Sequence, residues 1–163
     1  MLPWGKRPNE VANLFNPAFC ALLLTDSIAG FQEYVELGMP YPLSFLILPL
    51  TLHKSTRNLL PKSLRTKLHV WLQSRPEVRI GFAKRARELV PYTKEGLAFG
   101  LQANSIEITQ EGKLVACKDL RKVSLWTDIA ESAICREKSR FLGRWLAHSG
   151  DVSTIYVMWG IRP

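Results

Sequence analysis

Residues 43–52 read LSFLILPLTL, an almost unbroken apolar run that turns polar at once in His53, Lys54, Ser55, Thr56 and Arg57 and closes on Leu59, Leu60 and Pro61. A bilayer span needs roughly 20 apolar residues, about twice this length, and Pro49 interrupts the run. The stretch is therefore read as a buried helix rather than a membrane anchor. Leu43, Ile47 and Leu50 recur at helical spacing with Leu46 beside them, and Pro49 is expected to end or kink the helix. Ser55 or Thr56 is then expected to cap a short turn before Pro61.

The neighbouring segments must cover this run. Residues 1–8, with Pro3, Gly5 and Pro8 and no apolar period, read as a loose arm. Asn16-Pro17 is a helix start, with Asn as N-cap and Pro at the first helical position. That helix is expected to run to about Leu37, before Gly38 and Pro40. Phe19, Leu22, Leu23, Ile28 and Phe31 make it apolar on more than one side, as a central core helix is.

From Lys62 the texture changes. Ser63 is expected to cap a helix carrying the stripe Leu64, Leu68, Trp71 and Leu72. Pro76-Glu77 opens a second helix with Val78, Phe82, Ala86 and Leu89 on one face, ended by Pro91. Thr93 caps a third, with Leu97 and Leu101, that stops near Asn104. In SIEITQEGKLVACK, Ile106 and Ile108 alternate with polar residues around a QEG turn, which predicts a β-hairpin. Three short helices and a hairpin follow the order of a winged helix-turn-helix over residues 62–118.

A last long helix is expected to start near Thr127 or Asp128, where Asp128 and Glu131 resemble a capping box. Ala130, Ile134, Phe141 and Trp145 would share its apolar face, and Gly150 would end it. The tail DVSTIYVMWGIRP is too apolar to hang in water and must pack on the core or on a partner. The predicted fold is mostly α with a small β-hairpin: a helical core with an embedded winged helix-turn-helix. Residues 1–61 form an N-terminal helical region, 62–122 the winged helix and 123–163 the C-terminal helix and tail, in one compact unit.

Chemistry finds little to work with. Cys20, Cys117 and Cys135 are odd in number, lack C-x-x-C spacing and lie among apolar neighbours; they read as reduced, partly buried thiols, with neither disulfide nor zinc site. No G-x-S-x-G, H-E-x-x-H or phosphate-binding G-x-x-x-x-G-K-[ST] occurs. His69, between Leu68 and Val70, reads as structural, and His148 sits in a last helical turn where the dipole suits a positive charge. His53, in HKSTR, is the only histidine with polar company, and a helix-terminus role outweighs catalysis there. The expectation is a protein with no catalytic residue, no metal and no cofactor.

Charge points to binding. Lys and Arg outnumber Asp and Glu by 22 to 14, a net charge of +8, which suits nucleic acid, an acidic protein or an anionic surface. Ordinary hydrophobic and charged fractions, 47% and 22%, exclude widespread disorder. The segment in recognition position, TKEGLAFGLQAN, is poor in base-reading side chains. The cations lie instead at Arg65, Lys67 and Arg75, at Arg79, Lys84, Arg85 and Arg87, and at Arg136, Lys138, Arg140 and Arg144, rows that can hold phosphates without reading sequence.

Five motifs in order complete the reading: NLFNPAFCALLL, LILPLTLHKSTRNLLP, VWLQSRPEVRIGFAKRARELVPYTKEGLAFGL, FLGRWLA and TIYVMWGIRP. Over nearly the whole chain, from about Glu10 to Pro163, this set resembles the small middle component of bacterial three-component ABC systems, a grouping that includes Lamassu-type antiphage defence. The motif positions are Asn16, Pro17, Leu48, Pro49, His53, Arg57, Leu60, Pro61, Trp71, Gly143, Arg144, Trp145, Gly160, Arg162 and Pro163, most of which look structural. The resemblance implies a non-catalytic adaptor that joins an SMC-like ABC ATPase to an effector such as a nuclease and helps restrain it. Double-stranded DNA is a further candidate partner, and a membrane is not.

By that reading the partner interface includes Lys54, Arg57, Tyr156, Met158, Trp159 and Arg162, and DNA is met by Arg65, Lys67, Arg75, Arg79, Lys84, Arg85, Arg87, Arg136, Lys138 and Arg140. The opening MLPWGKRPNE lacks the apolar core of a signal peptide, and the expected location is the cytoplasm. The rival readings are a free-standing winged-helix transcriptional regulator and an enzyme centred on His53.

Overall fold

The computed structural model describes residues 6–9, 13, 15–118 and 130–162. Among them the chain is mostly helical with one small antiparallel sheet. Helix α1 (Pro17–Gln32) begins as the sequence predicts: Asn16 Oδ1 accepts from the backbone N–H groups of Ala18 (2.9 Å) and Phe19 (3.4 Å). It is buried almost all round, with Leu23, Leu24 and Ile28 wholly inside. It ends at Gln32 rather than near Leu37, because Glu33 to Leu37 form turns leading into strand β1 (Met39–Pro40).

The apolar run is buried as expected but is not one helix. A 3-10 segment (Tyr41–Leu46) passes into the short α2 (Ile47–Thr51), with Pro49 inside it. Leu46, Ile47, Leu48 and Leu50 are wholly excluded from solvent. The next helix, α3 (Lys54–Leu59), is capped by His53 rather than by Ser55 or Thr56. His53 Nδ1 faces the N–H of Thr56 at 3.3 Å and its hydroxyl at 2.7 Å.

The region expected to be a winged helix-turn-helix is built differently. The first helix, α4 (Leu68–Ser74), starts later than Ser63, whose hydroxyl instead accepts from the N–H of Arg65 within a turn. A 3-10 turn (Pro76–Arg79) and Gly81, with φ +68°, lead into a single 21-residue helix, α5 (Phe82–Gln102). Pro91 does not end it and Thr93 does not start another helix. The turn that would separate the second and third helices is absent. Pro91 is exposed, so the backbone hydrogen bond it lacks falls on the solvent side. Phe82, Leu89, Thr93, Gly96, Leu97 and Gly100 form one continuous buried stripe across it, and their packing outweighs the local cost.

The hairpin is as predicted, β2 (Ile106–Ile108) against β3 (Lys113–Ala116), with Glu107 opposite Val115. A third strand joins it: β1 pairs with β3, Met39 opposite Leu114, in the order β1-β3-β2.

The last long helix, α6 (Ala130–Ala147), lies along α1. Its inward face is Cys135, Ser139, Leu142, Trp145 and Leu146, whereas Ile134, placed on that face from the sequence, is 41% exposed. Asp128, the proposed cap, lies outside the described residues. The tail forms α7 (Val152–Trp159), N-capped by Asp151, whose carboxylate accepts from the N–H of Thr154 (2.7 Å). Trp159 stacks on Phe82 (centroids 4.2 Å apart) and meets Trp71 edge-on (5.9 Å), and Trp71 meets Trp145 at 5.2 Å. One aromatic cluster thus ties α4, α5, α6 and α7 into the same core as α1 and α2. Arg7, in the arm expected to be loose, is pinned by a two-pronged pair with Glu95 (2.6 and 2.8 Å).

Candidate partner-docking groove

The predicted basic rows separate into cations bound within the fold and cations left at the surface. Along α6, Arg136 pairs with Asp26 of α1 (2.7 Å), and Arg140 and Arg144 both clamp Glu33 just beyond α1 (2.6 Å each). Arg136, Arg140 and Arg144 recur every four residues and so face α1 together. Partial desolvation raises the pKa of Glu33, but the hydrogen bonds from Arg144 and Arg140 more than offset this and leave it lowered. These arginines, read from the sequence as a phosphate-binding row, fasten α6 to α1. Lys138, between them, is half-buried.

Arg85 is held in the same way. Its guanidinium donates to the carbonyl of Pro49 (3.2 Å) and the hydroxyl of Thr56 (3.4 Å), and it lies 5.5 Å from the Phe82 ring centre. Burial lowers its pKa. Arg57, proposed to meet an acidic partner, is 2% exposed; it donates to the carbonyl of Thr51 (2.7 Å) and pairs with Glu131. Arg75 and Lys84 make loose surface pairs with Glu77 and Glu88, both at 3.8 Å. Arg65, Lys67, Arg79 and Arg87 remain exposed, as does Lys54.

The tail divides along the same line. Tyr156 and Trp159, proposed as interface residues, belong to the core, and the Tyr156 hydroxyl donates to the carbonyl of Pro42 (2.6 Å). Desolvation pushes the pKa of that phenol up to about 12. Met158 is half-buried, while Val157 and Arg162 face solvent.

Where α5, the 3-10 segment after β1 and the end of α7 meet, the surface opens into a groove of about 700 Å³. Tyr41, Phe45 and Leu46 line one side, Ala83, Ala86 and Val90 another, and Ile161 the third. Tyr41 and Phe45 stand edge to face, 5.2 Å apart. Arg87, Lys94 and Arg162 also line it, and among the described residues no carboxylate does. Among the described residues none of these three cations has an acidic partner. An aromatic and aliphatic floor with an unpaired cationic rim can desolvate an apolar side chain while attracting negative charge.

The sequence reading reached Arg87 and Arg162 but missed Tyr41, Phe45, Ala83, Val90 and Lys94. A signal was present: positions 83, 86, 87, 90 and 94 share one helical face once α5 is read straight through Pro91. No group of three or more His, Cys, Asp or Glu that could hold a metal occurs among the described residues. No helix there is long and apolar enough to cross a membrane. Cys117 is exposed, against the expectation of burial, while Cys20 and Cys135 are buried as expected.

No curated protein and no solved structure matches this chain. A family model described as ABC-three component (ABC-3C) system Middle Component 3 matches residues 4–163. The chain therefore belongs to the Middle Component 3 family of ABC-three component systems, whose members work beside other ABC components.

Proposed function

We propose that this protein is a non-catalytic adaptor that holds an SMC-like ABC ATPase together with an effector, such as a nuclease, in a cytoplasmic antiphage defence complex of the Lamassu type. The observation that carries the reading is the family match, which covers residues 4–163 with a middle component of a three-component system. The distribution of charge supports it. The α6 arginines face acids in and just beyond α1, so the cations left outside are dispersed and suit phosphate or carboxylate contacts rather than base reading. The continuity of α5 weighs against the free-standing regulator. Such a regulator presents a separate recognition helix to the major groove, whereas Thr93, Gly96, Leu97 and Gly100 of that region are buried.

Duplex DNA is a secondary partner on this reading, met through exposed Arg65, Lys67, Arg75 and Arg79. Co-expression with the ABC ATPase encoded beside it is the direct test. The two are expected to co-elute at a fixed ratio. The chain alone is expected to bind duplex DNA without sequence preference and to release it as salt rises. A chain that stays a solitary monomer beside its companions, or that selects one DNA sequence unaided, overturns the proposal.

A further inference from the structure

We propose that the groove between α5, the Tyr41–Leu46 segment and the end of α7 is the docking site for an acidic amphipathic helix of the ATPase partner. The inference rests on the adaptor reading above and assigns its surface. Three observations identify the occupant. The lining holds aromatic and aliphatic side chains, which favour burying a bulky apolar side chain over leaving phosphates in an apolar cleft. Its cations stand on two walls, Arg87 and Lys94 on α5 and Arg162 after α7, with no carboxylate among the described lining residues. The Tyr156 hydroxyl already donates its proton to the carbonyl of Pro42, so it offers the groove no free donor for a phosphate.

The spacing narrows the occupant further. Arg87 and Lys94 are seven residues apart on one helix, roughly 10 Å along its axis at 1.5 Å per residue. A helix laid beside α5 matches this with Asp or Glu at i and i+7, and places residues i+3 and i+4 over the Tyr41, Phe45 and Val90 floor. A helix with carboxylates two turns apart and large apolar residues midway between them is therefore the fitting partner segment. The third cation, Arg162, engages a further acidic side chain on the helix's other flank.

The test uses the full chain co-expressed with the companion ATPase. One arm compares wild type with Arg87→Glu/Lys94→Glu/Arg162→Glu, beside a charge-matched control, Lys62→Glu/Lys113→Glu/Lys118→Glu, at positions outside the groove lining. A second arm places a photo-crosslinking amino acid at Phe45 and maps the joined fragment by mass spectrometry. The groove variant is expected to retain at least tenfold less ATPase than wild type at an unchanged thermal midpoint, while the control retains it. The crosslink is expected in a helix of the ATPase with acids at i and i+7. Retention by the groove variant equal to wild type overturns the groove assignment and leaves the adaptor reading standing. So does a crosslink to the effector, to DNA or to a basic segment. A wild-type chain that captures no ATPase overturns both.

Discussion

A histidine at a helix N-cap caps only while its ring is neutral, because Nδ1 needs its lone pair to accept a backbone N–H. His53 holds this post for α3, with Nδ1 facing the N–H and hydroxyl of Thr56. Burial, and then the nearby Arg85 charge, lower its pKa below the ordinary 6.5. The sign follows: the unfolded chain takes up the proton first, so this stability is full above the ordinary value of 6.5 and is lost as pH falls from there through the lower folded pKa. His53→Asn keeps a capping acceptor that does not titrate. Urea unfolding at about pH 7.5 and about pH 5.5 is expected to show a smaller loss on acidification for His53→Asn than for wild type. His53→Ala is expected to be weaker by about 1 kcal/mol already at the higher pH. The sequence had marked His53 as a helix-terminus residue but set the cap two or three positions later. Ser, Thr and Asn are the usual caps, and Ser55 and Thr56 masked the less usual one.

Between elements, α1 and α6 approach closely enough for their backbones to meet. A Cβ added at Gly143 would run into the carbonyl of Ser27, and one at Gly30 into the carbonyl of Arg140. The two glycines let the helix backbones touch, and that brings Arg136 to Asp26 and Arg140 and Arg144 to Glu33. An exposed helical glycine usually gains about 0.5–1 kcal/mol when changed to alanine, so the sign of the change is diagnostic. Gly143→Ala is expected to lose about 1–3 kcal/mol, the cost of overpacking, in equilibrium urea unfolding. A gain would mean that the helices are not in backbone contact. The same scale explains the misreading of α5. Pro91 is a strong local stop signal, yet Leu89, Thr93 and Leu97 keep their phase across it, and a stripe that stays in register is the better guide when one face is being buried.

For the whole molecule, the aromatic cluster decides what the tail is. A terminal segment rich in Ile155, Tyr156, Met158 and Trp159 could serve a partner or the chain's own core, and the sequence left both open. Trp159 is 2% exposed against Phe82 and Trp71, so Trp159→Ala is expected to lower stability by about 3–5 kcal/mol in one cooperative unfolding transition. A thermal midpoint that hardly moves, with binding to the companion ABC components lost, would return the residue to an interface. The elements legible beforehand were those made by neighbours in sequence. Asn16-Pro17 opened α1, the QEG turn closed the hairpin, and the run through Leu46, Ile47 and Leu50 was bound to be buried, because caps, turns and periodicity act within a few residues. The excess of cations and the absence of a spanning run were also fixed at that level. What only the tertiary structure decided was which cations remain free and what surface they frame. Glu33 meets Arg140 and Arg144 across more than 100 residues of chain, and Tyr41, Val90 and Arg162 line one groove only because three elements converge. Charge pairing and concavity depend on which faces are pressed together, and that is settled by burying the whole core at once rather than by any local signal.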